Sequence, residues 1–333
     1  WWSRLLALPI ALAFFGTTVQ AQLVSLYTFA STSGSYVPIS GGTQIVPPGS
    51  DSGVSASTAI GFPFVFNGTS FSNFIVSANG SLRFGATSFS SSTTPISTTS
   101  NTNAIAVFAR DAVVGGGVQW ELQGVSPNRV LVVEWTNYKP QWNDAIRNME
   151  VQVRLYETTN VVQIVYGASV TGATLTGQVG LRGSSATTDF NNRTTTANWA
   201  ATTAGSSSSS SMTFSTTAFP ADGLTYTWTP PLVTDAAAGP VTQVTAACPG
   251  SSESLQARVS NSGTQAIDLT TNPISVSVAV TGAGSGTLTG SVNSGTLAVG
   301  ATVQGPLTPS LDMSVVGRYN FASTITMTGD FTA

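Results

Sequence analysis

The chain has 333 residues, room for one large domain and part or all of a second, with a formal net charge of -3. Charged residues make up only 8%, against roughly 25% in an average soluble domain, and the 11 basic ones are scattered singly, which leaves no phosphate-tracking stripe for a nucleic-acid partner. With no histidine and one cysteine, Cys248, the chain excludes Ser-His-Asp triads, Cys-His dyads, His-ligated zinc and intrachain disulfides.

Residues 1–21 read as an export signal. Arg4 supplies the positive start, Leu5 to Phe15 the apolar segment, and Val19-Gln20-Ala21 a small-residue cleavage site before Gln22. That apolar run is too short to span a bilayer, and no later one approaches the roughly twenty residues a membrane helix needs. The expectation is a secreted or outer-surface protein, delivered by the export machinery and released near Ala21. The chain starts at Trp1 rather than Met, which reads as a piece of a longer protein.

A first domain is expected over 22–231. Leu26 to Phe29 opens it as a short strand, and Gly- and Pro-rich loop follows to Gly49. Ile60 to Phe66 runs into Asn67-Gly68, and Phe74 to Ala78 runs into Asn79-Gly80, before Ser81 to Phe84. Asn-Gly between apolar runs signals a type I′ hairpin turn, because both residues tolerate positive φ. Thr87 to Asn103 is almost all Ser, Thr and Asn and is expected to be a mobile loop. Ile105 to Phe108 and Val118 to Leu122 resume the sheet.

Three strands then come in succession: Asn128 to Trp135, Met149 to Tyr156 and Val161 to Tyr166. In the second, Met149, Val151, Val153 and Leu155 alternate with polar residues, a period of two that buries one face. The first is apolar throughout Val130 to Val133, which implies cover on both faces and a central position. Leu175 to Leu181 and Leu224 to Thr229 complete the strands, and the serine run Ser206 to Ser211 reads as a solvated tip. Residues 232–239 read as a small-residue linker. Over 240–333, alternation at Ser254 to Val259 and Ile274 to Val280 suggests an Ig-like sandwich that stops within its closing strands. The fold class is therefore all-β: a large antiparallel, jelly-roll-like sandwich followed by an Ig-like sandwich, partly truncated.

Candidate sites are few. Between the first two strands of the meander, Thr136 to Arg147 reads as a long loop carrying Tyr138, Trp142, Asn143 and Asp144. Aromatic faces stack on sugar rings or partner side chains while amides and carboxylates bind hydroxyls, so these four residues are the expected contacts for an extracellular glycan or protein. Trp135 is expected in the core, and Glu134 and Glu150 in cross-strand contacts. Asp51, Asp111, Asp144 and Glu121 are loop or strand-end carboxylates of the kind that can hold calcium. Asn67, Asn79 and Asn192 head glycosylation-type triplets, though the first two already serve as turns.

Ile60 to Gly68, Phe71 to Val76 and Ser77 to Gly85 resemble the opening of nidogen-type extracellular β domains. The whole of Leu26 to Pro231 is similar to a module of large exported proteins of Bacteroidota-type bacteria. The resemblance implies a non-catalytic building block of surface proteins, followed by adhesion-type Ig-like repeats and a sorting domain. The acidic loop usual in that family after the Ile105 strand is here Ala109-Arg110-Asp111-Ala112, which leaves Asp111 as the single carboxylate for a cation. Taken together, the expectation is a non-enzymatic module for adhesion, extracellular binding or spacing. The alternative is an accessory carbohydrate-binding part of a larger secreted hydrolase whose catalytic domain lies beyond Ala333.

Overall fold

The computed structural model describes residues 22–85, 91–243 and 250–331. The export signal and Cys248 lie outside them. The chain divides into two compact units, one taking the described residues up to Val233 and the other those from Thr234 onward.

The first unit contains β1 (Thr28–Ser33), β2 (Thr43–Val46), β3 (Thr58–Phe66), β4 (Thr69–Ser77), β5 (Ser81–Phe84), β6 (Ala104–Ala109), β7 (Val113–Gln123), β8 (Val130–Lys139), β9 (Asn148–Tyr156), β10 (Val162–Val170), β11 (Leu175–Arg182), β12 (Phe190–Thr194), β13 (Thr203–Ala204), β14 (Met212–Phe214) and β15 (Leu224–Thr229). They form two antiparallel sheets, ordered β1-β15-β10-β9-β8-β7-β2 and β13-β12-β11-β6-β5-β4-β3, with β14 paired to β11. Inner faces meet in one core, where Phe64, Phe66, Phe74, Leu82 and Phe108 of one sheet share a cluster with Leu131, Val133, Trp135, Val151, Val153 and Trp228 of the other. This is a β-sandwich, as the period-two strands imply.

β8 lies between β7 and β9, and its outward-pointing Val132 and Glu134 are buried as well as its inward residues. The cover is the β1–β2 connection. Ile39 is buried, its N–H reaches both Glu134 oxygens at 3.3 Å, and Tyr36 donates its hydroxyl to Glu134 Oε1 at 2.6 Å.

Some local expectations are corrected. Asn67 and Gly68 both have positive φ (54° and 72°), as a type I′ turn requires, but at the next hairpin only Gly80 does. There Ser77 pairs with Ser81 across a three-residue loop, the type I plus left-handed-glycine arrangement. The described part of the Ser/Thr loop, 91–103, is anchored rather than loose: Ile96 is fully buried, and its carbonyl and that of Thr98 accept from Arg182. The serine run is anchored too, since Ser207, Ser208 and Ser210 carbonyls accept from the Asn192 amide. Asn79 and Asn192 are both 1% exposed, which removes them as glycosylation acceptors.

The second unit contains β16 (Ala236–Gln243), β17 (Leu255–Asn261), β18 (Ile267–Asp268), β19 (Ile274–Gly282), β20 (Gly286–Val292), β21 (Thr296–Leu297), β22 (Thr302–Pro306) and β23 (Tyr319–Met327). Its antiparallel sheets are β16-β17-β22, β18-β21 and β20-β19-β23, packed on a core that includes Leu255, Ala257, Val259, Ile274, Val276 and Val278. The stretch expected as a linker over 232–239 is a strand from Ala236 onward. Alanines offer the ladder full donors and acceptors, and the register shift between Ala238 and Val241 accommodates Pro240, which has no N–H to give.

Candidate functional site

The Asn79-Gly80 turn anchors one wall of a cleft in the first unit. Asn79 Oδ1 accepts from the Ala112 N–H at 2.9 Å and its carbonyl accepts from the Arg110 N–H at 3.3 Å, while its Nδ2 donates to Ser91 Oγ at 3.0 Å. One buried amide therefore fixes the β6–β7 connection, Arg110-Asp111-Ala112, against the Ser/Thr loop. Gly80 has φ of 78°, and a Cβ there would lie 2.6 Å from the Tyr138 hydroxyl; only glycine allows that approach.

Tyr138 is thus not a surface residue. β8 continues through Thr136–Lys139, which shortens the expected loop. A bulge between Trp135 and Tyr138, with Asn137 at φ of 48°, reverses the alternation and turns Tyr138 inward. Fully buried, it donates its hydroxyl to the Phe108 carbonyl at 2.9 Å, and burial pushes its pKa well above the usual phenol value. It braces the cleft from below and cannot touch a ligand.

The remaining three loop candidates stand differently. Trp142 is 55% exposed, and its backbone N–H donates to the Asp111 carbonyl at 3.2 Å, which sets the loop beside the β6–β7 connection. Asn143 is exposed, its Oδ1 taken by the Gln141 amide at 2.7 Å. Asp144 is spent on its own loop: it pairs with Arg147 and accepts the Ile146 and Arg147 N–H groups at 2.9 and 3.2 Å. Burial raises its pKa, but those hydrogen bonds and the Arg147 charge outweigh it and hold the carboxyl below its usual range. Arg147 also reaches the Ala173 carbonyl at 2.6 Å, so this pair is a loop clamp.

The cleft itself has a volume of about 380 Å³ and is lined by Thr93, Thr94, Ser97, Arg110, Asp111 and Gln178, among others. Gln178 is 3% exposed and ties its walls together: Oε1 accepts from the Ile96 N–H at 2.9 Å, and Nε2 donates to Ser97 Oγ and the Ser208 carbonyl, each at 3.0 Å. Arg110 extends from the end of β6 to give Nη1 to the Thr176 carbonyl at 3.1 Å. Burial pulls its guanidinium below the ordinary value and the Arg147 charge pulls it further, while Tyr138, Asp111 and Asp144 act the other way. Hydroxyls, one amide, one guanidinium and one carboxylate around a concave wall suit hydrogen bonding to a polar ligand.

Asp111 shares this cleft with a cation, not with further carboxylates. Among the described residues no group of three or more His, Cys, Asp or Glu comes together to hold a metal, whereas calcium takes six to eight oxygens.

A second polar cluster lies on the outer face of the other sheet. Gln119, Glu134 and Gln152 stand side by side on β7, β8 and β9, and the two amides donate to Glu134 at 2.7 and 2.8 Å. With Tyr36 and Ile39 above, all of the Glu134 acceptor capacity faces the protein's own donors. Glu150 accepts the Asn137 N–H with both oxygens at 3.0 Å; its burial raises its pKa. The cross-strand contacts expected of Glu134 and Glu150 are therefore present. Trp135 is fully buried with Nε1 donating to the Ser77 carbonyl at 2.9 Å.

Composition offered one signal for the cleft, Arg110 in a chain so poor in charge. The Thr, Ser and Gln walls carried none, because hydroxyl-rich segments have no periodicity to mark which of them converge.

Among the described residues no helix is long and apolar enough to cross a membrane. A family model described as NIDO related matches residues 26–230, more than half of the chain. No curated protein and no solved structure matches.

Proposed function

We propose, from the premise that this chain belongs to the NIDO-related family, that it is a non-enzymatic recognition module working outside the cell. Its first unit takes a glycan into the Arg110–Gln178 cleft, with Trp142 beside it as a stacking platform. The second unit serves as an Ig-like spacer. The observation that carries this reading is the adjacency of a hydroxyl- and amide-lined cleft to an exposed tryptophan, tied together by the Trp142 to Asp111 hydrogen bond. Sugar rings present an apolar face for an indole and a hydroxyl rim for polar groups, and both are supplied here.

A nidogen-related domain and the absence of long apolar helices among the described residues are compatible with an extracellular setting. The non-enzymatic reading rests on composition and on occupancy: the chain has no histidine, and its buried carboxylates are engaged by internal donors, Glu134 by Tyr36, Ile39, Gln119 and Gln152. A protein ligand is the second reading, favoured by Ile146, 68% exposed four residues beyond Trp142.

A glycan array probed with the full chain and with Trp142→Ala tests the proposal. Binding by the parent, weakened about tenfold or more in the variant, supports it. A parent chain that binds no glycan while capturing extracellular-matrix protein through Ile146 favours the second reading.

A further inference from the structure

Resting on that glycan reading, we propose that the ligand is acidic: the carboxylate of a uronic-acid residue seats against the Arg110 guanidinium, and the surrounding hydroxyls and Gln178 take the ring hydroxyls. Three observations converge on Arg110. It lines the cleft. Its Nε is buried with no hydrogen-bond partner, as are those of Arg182 and Arg193. The one hydrogen bond of its guanidinium among the described residues goes to a neutral carbonyl, that of Thr176, and no carboxylate there lies within ion-pair distance of it, whereas Arg147 and Arg129 each hold one.

A guanidinium removed from water needs compensation from charge or from several acceptors. Arg110 is half-buried, and two arginines buried more deeply, at 2% and 8% exposed, show how this chain supplies it internally. Arg182 is held by the Ile96 and Thr98 carbonyls, and Arg193 lies 3.8 Å from the Phe29 ring centroid while donating to the Thr202 carbonyl. Arg110 has neither arrangement, and it is the one of the three that opens on this cleft. Its Nε is closed off from solvent, so a carboxylate in the cleft meets the Nη end of the guanidinium.

The charge surroundings are mixed, and they do not reverse this. Arg147 is neutralised by Asp144, and Asp111 is solvent-exposed, so its repulsion of an incoming anion is weakened by water and salt. Its carboxylate remains an acceptor for sugar hydroxyls. The volume of about 380 Å³ is at the small end of ligand sites, and suits one or two sugar rings better than a long chain.

The test is calorimetric titration of the full chain with oligogalacturonate and oligoglucuronate, each against its neutral hexose counterpart, with acetate as a carboxylate that lacks hydroxyls. Uronates should bind more tightly than the neutral sugars and lose affinity as salt is raised, and acetate should not compete. Arg110→Gln should weaken uronate binding about ten- to hundredfold, the loss of a charge-assisted pair. Asp111→Asn, at an exposed site where folding is not at stake, should raise the ratio of uronate to neutral-sugar affinity about two- to fivefold. Equal affinity for neutral and acidic sugars, or an Asp111→Asn variant blind to ligand charge, overturns the acidic assignment and leaves the glycan reading standing. If neither sugar class binds, both fall.

Discussion

Glu134 is 2% exposed, and among the described residues no cation pairs with it; what holds it is a ring of donors. Tyr36 gives its hydroxyl at 2.6 Å, Gln119 and Gln152 their amides at 2.7 and 2.8 Å, and Ile39 its N–H at 3.3 Å. Burial pushes the Tyr36 phenol far above its ordinary value, and the Glu134 charge pushes it further, so Tyr36 donates at every physiological pH. Glu134→Ala strands these donors under the β1–β2 connection. Hydrogen bonds to charged groups contribute about 1.5–3 kcal/mol each, yet the burial cost of the carboxylate disappears with it, so the net loss should be about 3–5 kcal/mol, as when one member of a buried network is removed. For a unit of this size that corresponds to a fall in Tm of roughly 6–20 °C. Tyr36→Phe removes one bond and should cost about 1.5–3 kcal/mol. Calorimetry gives the midpoints, and hydrogen exchange at Ile39 reports the connection itself. A Glu134→Ala protein with an unchanged midpoint and an Ile39 amide protected as in the parent would refute the view that this carboxylate pins the connection to the sheet.

The same geometry sets three other outcomes. Gly80→Ala forces a Cβ to 2.6 Å from the Tyr138 hydroxyl at φ of 78°, and should cost about 2–4 kcal/mol in denaturant titration; a loss below about 1 kcal/mol would mean that this turn is freer than its contacts imply. Trp142→Ala should leave the midpoint within about 0.5 kcal/mol whereas Trp135→Ala loses about 3–5 kcal/mol, because one indole is 55% exposed and the other is not exposed at all; equal effects would contradict that placement. Hydrogen bonds from the Arg129 guanidinium and N–H, with the Arg129 charge, hold Glu157 at about 2 against its ordinary 4.5, so the pair stabilises above the ordinary value and that contribution is lost as pH falls from about 4.5 towards 2. The stability gap between the parent and Glu157→Gln should close over that window and shrink in salt; a gap independent of pH would show that the ion pair does not set it.

The meander over β8, β9 and β10 was legible because alternation is a property of extended backbone: Met149, Val151, Val153 and Leu155 must share a face, and one face of this sheet is core. Legibility ended where tertiary demands overrode local ones. Asn67-Gly68 forms the mirror-image turn, with Asn67 Oδ1 accepting from the Val24 N–H at 3.1 Å. Asn79-Gly80 has the same two residues, but the Asn79 side chain is committed inward to Ala112 and Ser91, and the turn takes another form to deliver it. A single bulged position at Asn137 moves Tyr138 from the expected ligand face to the core, and no periodicity argument anticipates one inserted residue. The cleft is the extreme case. Thr93 and Ser97, Arg110 and Asp111, Thr176 and Gln178, and Ser209 and Ser211 come from four separate stretches. Their convergence is set by the β6–β11 pairing and by Gln178 reaching two of the loops at once. Ser- and Thr-rich segments that look interchangeable as solvated loops thus differ by whether a buried amide holds them, which is why the cleft lies beside the residues that composition nominated, with the Trp142 loop hydrogen-bonded to its Asp111.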